Sequence, residues 1–391
     1  MKVAFWISLF IAFYTFVGYG ILLFIIIKIK RVVKGRTVVT DIDDSALPEC
    51  TLVVAAYNEE HFMQQKIDNC LALNYPAGKL KLVFVTDGST DRTTEIITRY
   101  PQVQLLHRPE RAGKIAAVHR AMAYVHTEAV VFTDANTFLN TDAIKKICRH
   151  YADYTVGCVA GEKRVQIDEN ADASAAGEGF YWKYESALKK WDSELYSVVG
   201  AAGELFSVRR NLYEDVPADT VLDDFMISML IAKKGYRIVY EPEAYALETA
   251  SENVTEELKR KVRIAAGGVQ SILRLKPLLF SLKYPLLSFQ YVSHRVLRWT
   301  VTPFFLILAF ITNLALAFAE MGWVYELLFA GQVLFYLLAF LGFIMEKRQV
   351  RVKALFVPYY FCVMNYAVVA GIIRYFTKKQ SSVWEKAQRK M

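Results

Sequence analysis

The sequence predicts an α/β domain of parallel strands held between transmembrane helices. Residues 3–27 carry no charged side chain, and a run of about 25 apolar residues exceeds the roughly 20 that a helix needs to cross a bilayer. Between residues 37 and 275, short apolar strands alternate with helical patterns, as expected of parallel strands joined by crossover helices. The 391-residue chain is 54% hydrophobic, above the ~45–50% apolar share of soluble domains.

The N-terminal run is read as an anchor. A cleaved signal peptide has an apolar region of about 7–15 residues and a small-residue cleavage site. This run ends instead in Lys28, Lys30, Arg31, Lys34 and Arg36. That basic flank is expected in the cytosol, with the N-terminus outside and the next domain inside. Three more uncharged runs, residues 299–319, 327–345 and 354–373, are each about long enough to span. Before them, residues 277–298 mix Leu, Phe and Tyr with Lys283, His294, Arg295 and Arg298, as in a helix lying among headgroups. The predicted organisation is an anchor and basic flank (1–36), a cytosolic domain (37–275), an interfacial segment (276–298), transmembrane helices (299–375) and a basic tail (376–391). Four crossings would carry that tail outside, against the positive-inside rule. Residues 354–373, which contain Pro358 and Asn365, are therefore read as re-entrant or interfacial.

Much of the net charge of +8 flanks the apolar runs. It points to anionic lipid and orientation rather than to nucleic acid. Five cysteines, with no CxxC pair, indicate neither a disulfide framework nor a zinc site, in agreement with a reducing compartment.

Strands are read at 51–56 (TLVVAA), 80–86 (LKLVFVT), 103–106 (VQLL) and 129–133 (AVVFT). Such apolar strands are covered on both faces, and ligands collect beyond their C-terminal ends. The segments found there are YNEE (57–60), DGSTD (87–91), RAGK (111–114) and DAN (134–136). Asn58 or Glu59 could simply open a helix, and Thr90 or Asp91 could cap one. Asp87 follows an apolar strand and precedes Gly88, which places its carboxylate at the crevice, able to accept hydrogen bonds from a base or ribose. Lys114 opens a helical pattern after a glycine, where a cation and free N–H groups suit a diphosphate. Asp134 and Asn136 offer oxygens at a strand end that could share a hard divalent cation with phosphate, or form an Asx turn.

Together these residues resemble the inverting nucleotide-sugar glycosyltransferases of family 2, which include cellulose, chitin and hyaluronan synthases. The resemblance runs from the first anchor to the tail and implies a GT-A-like, Rossmann-like catalytic domain. It implies a nucleotide-sugar donor, a UDP-sugar for preference, bound by Asn58, Glu59, Asp87, Lys114, Asp134 and Arg263. It also implies a divalent metal, Mg²⁺ or Mn²⁺, at Asp134 and Asn136, where Asn136 stands in place of the family's second acid. GAAGE (200–204) looks like the acceptor-side loop, so Gly203 and Glu204, with Asp223 and Arg260, are expected on the acceptor side. LDDF (222–225) matches the place of the family's base motif, which implies that Asp224 is the base; the alternative is an acidic helix start. The acceptor implied is lipid-linked or saccharide, and the location a multi-pass bacterial cell membrane with the catalytic domain in the cytosol.

One segment departs from the pattern. Processive members carry QxxRW, whereas this chain reads Arg260-Lys261-Val262-Arg263-Ile264. Arg263 keeps the cation, but no Trp follows to stack on a sugar, so addition of one or a few sugars is expected. Aromatics at 180–191 could substitute or could form an apolar packing face, and the tail at 384–389 loosely resembles the Trp-containing switch of some synthases. Two other classes fit less well. A transporter would place ionisable groups inside the apolar runs, and these have none; a tethered dehydrogenase would need GxGxxG after its first strand.

Overall fold

Alternation along the first strand sets the layers. In β1 (Cys50–Ala56), Val53 enters one hydrophobic core while Leu52 and Val54 enter another. The period of two thus buries both faces of one sheet. A computed structural model describes residues 1–35, 42–166, 173–249, 254–348, 350 and 352–378. The tail motif at 384–389 lies outside the described residues.

β1 pairs in parallel with β2 (Leu80–Asp87) and β4 (Ala129–Asp134), and β2 pairs in parallel with β3 (Gln104–Arg108). These are the four strands expected from the sequence. The remaining strands are β5 (Thr137–Leu139), β6 (Val156–Gln166), β7 (Leu205–Arg209) and β8 (Arg237–Thr249). The sheet order is β3-β2-β1-β4-β7-β6-β8-β5. Parallel pairing does not continue through it: β7 runs antiparallel to β4 and β6, and β5 antiparallel to β8. The reversal has a physical use. Because Leu205 opens β7 opposite Thr133 near the end of β4, the loop ahead of β7 is delivered to the edge where Asp134 stands.

Among the described residues, ten longer helices cover the sheet or anchor it, beside short helices at Thr93–Thr98 and Ala143–Cys148. α1 is Lys2–Lys34, α2 Glu60–Leu71, α3 Lys114–Met122, α4 Ala173–Leu195 and α5 Asp223–Lys233. α6 is Val254–Arg274, α7 Pro285–Trp299, α8 Thr302–Phe318, α9 Trp323–Lys347 and α10 Lys353–Phe376. Among the described residues α1, α9 and α10 are long and apolar enough to cross a membrane, and α7 with α8 reaches that standard only as a pair bent by 61°. The bend has a local cause. Pro303, in the first turn of α8, offers no N–H to the preceding turn and its ring crowds the carbonyl four residues back. Pro358 does not break α10, which continues through it.

The charges at 277–298 are not spread among headgroups as the sequence suggested. His294 is fully buried, with Nδ1 2.6 Å from Asp192 and Nε2 3.3 Å from Glu185. Arg295 and Arg298 lie 2.6 and 3.0 Å from the same Glu185. Two buried carboxylates on α4 need partners, and α7 supplies them. The exposed residues of the segment are Pro277, Phe280, Leu282, Lys283, Pro285 and Leu286. On α4 itself, Trp191 meets Phe24 of α1 with ring centroids 5.4 Å apart, and Tyr184 donates to the carbonyl of Phe16 at 2.8 Å. These two aromatics are a packing face; the side chains of residues 180–182 lie outside the described residues.

Candidate active site

The ends of β1, β2 and β4, the start of α3 and the start of α5 converge on two adjoining clefts. One, of about 320 Å³, is lined by Ala55, Tyr57, Asp87, Arg111, Gly113 and Lys114 among others. The second, of about 300 Å³, includes Lys114, Asp134, Gly203, Asp223 and Ile227 in its walls. Lys114 belongs to both and marks their junction.

In the first cleft Asp87 is buried at the tip of β2. Its Oδ2 accepts from the backbone N–H groups of Ala112 (3.0 Å) and Gly113 (2.6 Å), which fixes the turn that opens α3. Gly113 adopts φ +98°, a conformation that favours glycine. The other oxygen, Oδ1, accepts no hydrogen bond among the described residues and lies 4.0 Å from Arg120. A buried carboxylate oxygen left open in this way suits a donor from a ligand. Over the same cleft the Arg111 guanidinium stacks 3.8 Å from the centroid of the Tyr57 ring. This pair was missed in the sequence, although both residues stand in the segments that follow β1 and β3.

Asn58 and Glu59 hold the loops together. Asn58, at φ +53°, accepts from the Thr90 N–H at 2.8 Å, and its own N–H donates to Ser89 Oγ at 3.2 Å. The Glu59 N–H donates to Thr93 Oγ1 at 2.8 Å where α2 begins. Asp91 accepts from the Thr93 N–H at 3.0 Å. The helix-opening reading of these residues is thus realised in the fold.

In the second cleft Lys114 Nζ donates to Asp134 Oδ1 at 2.7 Å. Burial works against the ammonium, but the charges of Asp134, Asp223 and Asp224 outweigh it and hold Lys114 above its ordinary pKa. Asp223 and Asp224 form the first turn of α5. Burial, then the neighbouring charge of Asp223, pushes Asp224 up to about 7. Gly203 sits between the groups: a Cβ there would stand 3.2 Å from Asp224 Oδ2 and 3.5 Å from Lys114 Nζ. Beneath β4, fully buried Lys66 donates to Thr137 O (2.6 Å) and Thr133 Oγ1 (3.2 Å), bracing the turn that carries Asp134 and Asn136. Sequence reading passed over Lys66, which sits in an ordinary amphipathic helix.

The residues expected on the acceptor side divide. Glu204 lies 2.7 Å from buried Lys163, which also pairs with Glu248. Burial opposes the Glu204 charge, yet Lys163 and Arg260 hold the carboxyl far below its usual range. Arg260 makes two bonds to Glu257, at 3.0 and 3.1 Å. Arg263 comes three residues later on α6, which packs tightly on the loop leading into Asp223: a Cβ at Gly267 would meet Leu222 at 2.8 Å and Val221 at 2.9 Å.

Among the described residues no three His, Cys, Asp or Glu side chains converge as a metal cage. The donors at this edge, Asp134 and Asp223 lining the cleft and Asn136 buried in the β4–β5 turn, are hard oxygens. They suit a cation that completes its shell with substrate phosphate. All five cysteines are free, and four of them are buried.

A parallel half continued by an antiparallel strand, with the loop ahead of that strand and a later acidic helix start at the same edge, is the arrangement of the GT-A fold of glycosyltransferases. A solved structure described as mannosyltransferase PcManGT from Pyrobaculum calidifontis in complex with GDP-Man and Mn²⁺ shares this architecture. It has a TM-score of 0.73 at 24% identity and covers 96% of this chain and 99% of that one. Residues 51–216 match the family described as Glycosyl transferase family 2. Among curated proteins, the poly-beta-1,6-N-acetyl-D-glucosamine synthase of Staphylococcus aureus strain COL is 27% identical over 244 residues, covering 60% of this chain and 58% of that one. The Staphylococcus epidermidis protein of the same name is 24% identical over 256 residues, 63% of this chain and 61% of that one. The chain therefore spans less than two thirds of the length of these relatives.

Proposed function

We propose that this chain is an inverting glycosyltransferase that moves one or a few sugars from a nucleotide-sugar, a UDP-sugar for preference, to a lipid-linked or saccharide acceptor at a membrane. The observation that carries the reading is the meeting of Asp224 with the Lys114–Asp134 pair around Gly203, whose Cβ would stand 3.2 Å from Asp224 Oδ2 and 3.5 Å from Lys114 Nζ. In this reading the acceptor hydroxyl gives its proton to Asp224 as its oxygen attacks the anomeric carbon. The bond to the diphosphate breaks on the opposite face, and Lys114 with Arg263 offsets the charge that develops there. The open oxygen of Asp87 takes a hydrogen bond from the base or ribose, and Tyr57 with Arg111 covers the nucleoside. A divalent cation, Mg²⁺ or Mn²⁺, would be held by Asp134 with Asn136 beside it and would add positive charge at the departing phosphate. Glu204, Arg260 and Asp223 shape the acceptor side.

The apolar helices support a multi-pass position in a bacterial cell membrane, with the catalytic domain on the cytosolic side of the basic flank at Lys28–Lys34. Membranes bearing the protein, incubated with a panel of labelled nucleotide sugars, should yield a labelled product that depends on one of them. No transfer from any nucleotide sugar would refute the assignment. Polymer synthesis is the second reading, favoured by relatives named as synthases of a polysaccharide. With limiting acceptor, single addition converts most acceptor to short product before any long one forms; long polymer beside untouched acceptor would establish the second reading.

A further inference from the structure

The helices α6 and α10 meet where neither has side-chain bulk. A Cβ on Gly371 would stand 2.5 Å from Ala265 Cβ, 2.8 Å from Ala266 N and 2.9 Å from Val262 O. Arg374 lies one turn beyond Gly371 on α10, and Arg263 is next to Val262 on α6. The close crossing therefore brings two guanidinium groups into one neighbourhood. Among the described residues neither makes an ion pair or a hydrogen bond, and the Nε of Arg374 is buried without a partner. The neighbouring cations behave differently: Arg260 and Lys261 both pair with Glu257, at 3.0 and 3.3 Å.

Burial lowers the pKa of Arg263; Asp223 and Asp224 pull the other way, and the positive charges of Arg260 and Arg374 add to the lowering. Arg374 is thus close enough to Arg263 for their charges to repel, and α6 presses on the loop that carries the two aspartates. Asp223 and Asp224 offset this only in part, since among the described residues neither forms an ion pair with Arg263 or Arg374; like charges so placed cost stability, a cost typical of a site awaiting a ligand of opposite sign.

We propose that Arg263 and Arg374 form a phosphate-binding pair at the edge of the cleft, so that the last apolar helix supplies part of the substrate site. The inference rests on the transferase reading above, in which the donor carries a diphosphate and a lipid-linked acceptor carries a phosphate. Two guanidinium groups carried by different helices can each present a planar fork to the oxygens of a phosphate group. The arrangement also gives α10 a purpose beyond anchoring: its packing on α6 sets the distance between the two cations.

The test is equilibrium binding, without turnover, to the full chain in detergent. Wild type, Arg374→Ala, Arg374→Lys and Lys114→Ala are each titrated with UDP, with GDP and with a short polyprenyl monophosphate in mixed micelles. Arg374→Ala should weaken at least one probe roughly ten- to hundredfold, as for loss of a charge-assisted hydrogen bond, and Arg374→Lys less. Loss of nucleotide binding assigns the pair to the donor diphosphate; loss of polyprenyl phosphate alone assigns it to the acceptor. The ligand-free Arg374→Ala protein should melt no lower than wild type, because the arginine it removes leaves no partner behind. Wild-type affinity for all three probes, or weakening that comes with a lower melting temperature, overturns the proposal. Nucleotide binding that is unchanged in Lys114→Ala would instead count against the donor site itself, whatever Arg374 does.

Discussion

At Asp224 the environment sets a proton affinity near neutrality, with consequences for both rate and stability. A base works in its deprotonated form, so kcat/KM should rise with pH and level off above about 7. A profile flat from acid to alkaline pH would remove Asp224 from proton transfer. The second consequence concerns stability. The folded carboxyl binds its proton more tightly than the ordinary value of 3.8, so its stabilising contribution is present below that value and is lost as pH rises through about 7. Asp224→Asn should therefore raise the thermal midpoint at pH 8 and change it little at pH 4. At Asp87 one oxygen organises two backbone N–H groups. Asp87→Leu leaves both unsatisfied, and at roughly 1–3 kcal/mol each should lower stability and weaken nucleotide binding together, measured by melting and titration. Asp87, Lys114 and Asp134 could be singled out in the sequence because each follows an apolar strand or opens a helix, whereas Asp224 came only from the family resemblance, its position alone reading equally as an acidic helix start. The Tyr57–Arg111 stack was not, since it joins residues far apart in the chain whose types occur on any surface.

At the scale of elements, β1, β2 and β4 were readable because buried parallel strands are continuous apolar runs, while the edge strand β3 showed only its two leucines. β5 is only three residues long, and β6 mixes Gly161, Glu162, Lys163 and Arg164 into its length with a register shift at Gly161/Glu162. Neither has a clean period. The antiparallel sense of β7 was hidden for a different reason, because strand direction is a property of the connection and not of the segment. Pairing of His294, Arg295 and Arg298 with α4 was equally invisible, since their partners lie about a hundred residues away. The α6–α10 contact yields a packing prediction. Gly371→Val forces a side chain into atoms already within 3 Å of its Cβ position, whereas Gly331→Val on α9 has open space around it. The first should lose about 1–3 kcal/mol of stability by overpacking and the second close to none, compared by thermal unfolding in one detergent. Equal melting of the two variants would mean that the helices do not meet as described.

For the whole molecule, the sequence left the side of the C-terminal tail open, and the packing of α10 along α6 favours the catalytic side. A cysteine introduced by Lys378→Cys should resist an impermeant thiol reagent in intact cells and react once the membrane is opened. Labelling from outside would place all the apolar runs across the bilayer. Metal dependence belongs to this scale too, because the protein brings few anionic ligands and the substrate must bring the rest. Chelator should abolish transfer, Mg²⁺ or Mn²⁺ should restore it, and full activity in excess chelator would remove the ion from the reaction. The central claim is that binding and proton transfer are separate tasks, the first shared by Asp87, Lys114 and Asp134 and the second given to Asp224. Its most direct test compares wild type and Asp224→Asn in labelled-sugar transfer and in nucleotide titration on the same preparation. The account predicts transfer reduced by at least ~10²-fold with nucleotide affinity unchanged, and transfer near the wild-type rate in Asp224→Asn would contradict it.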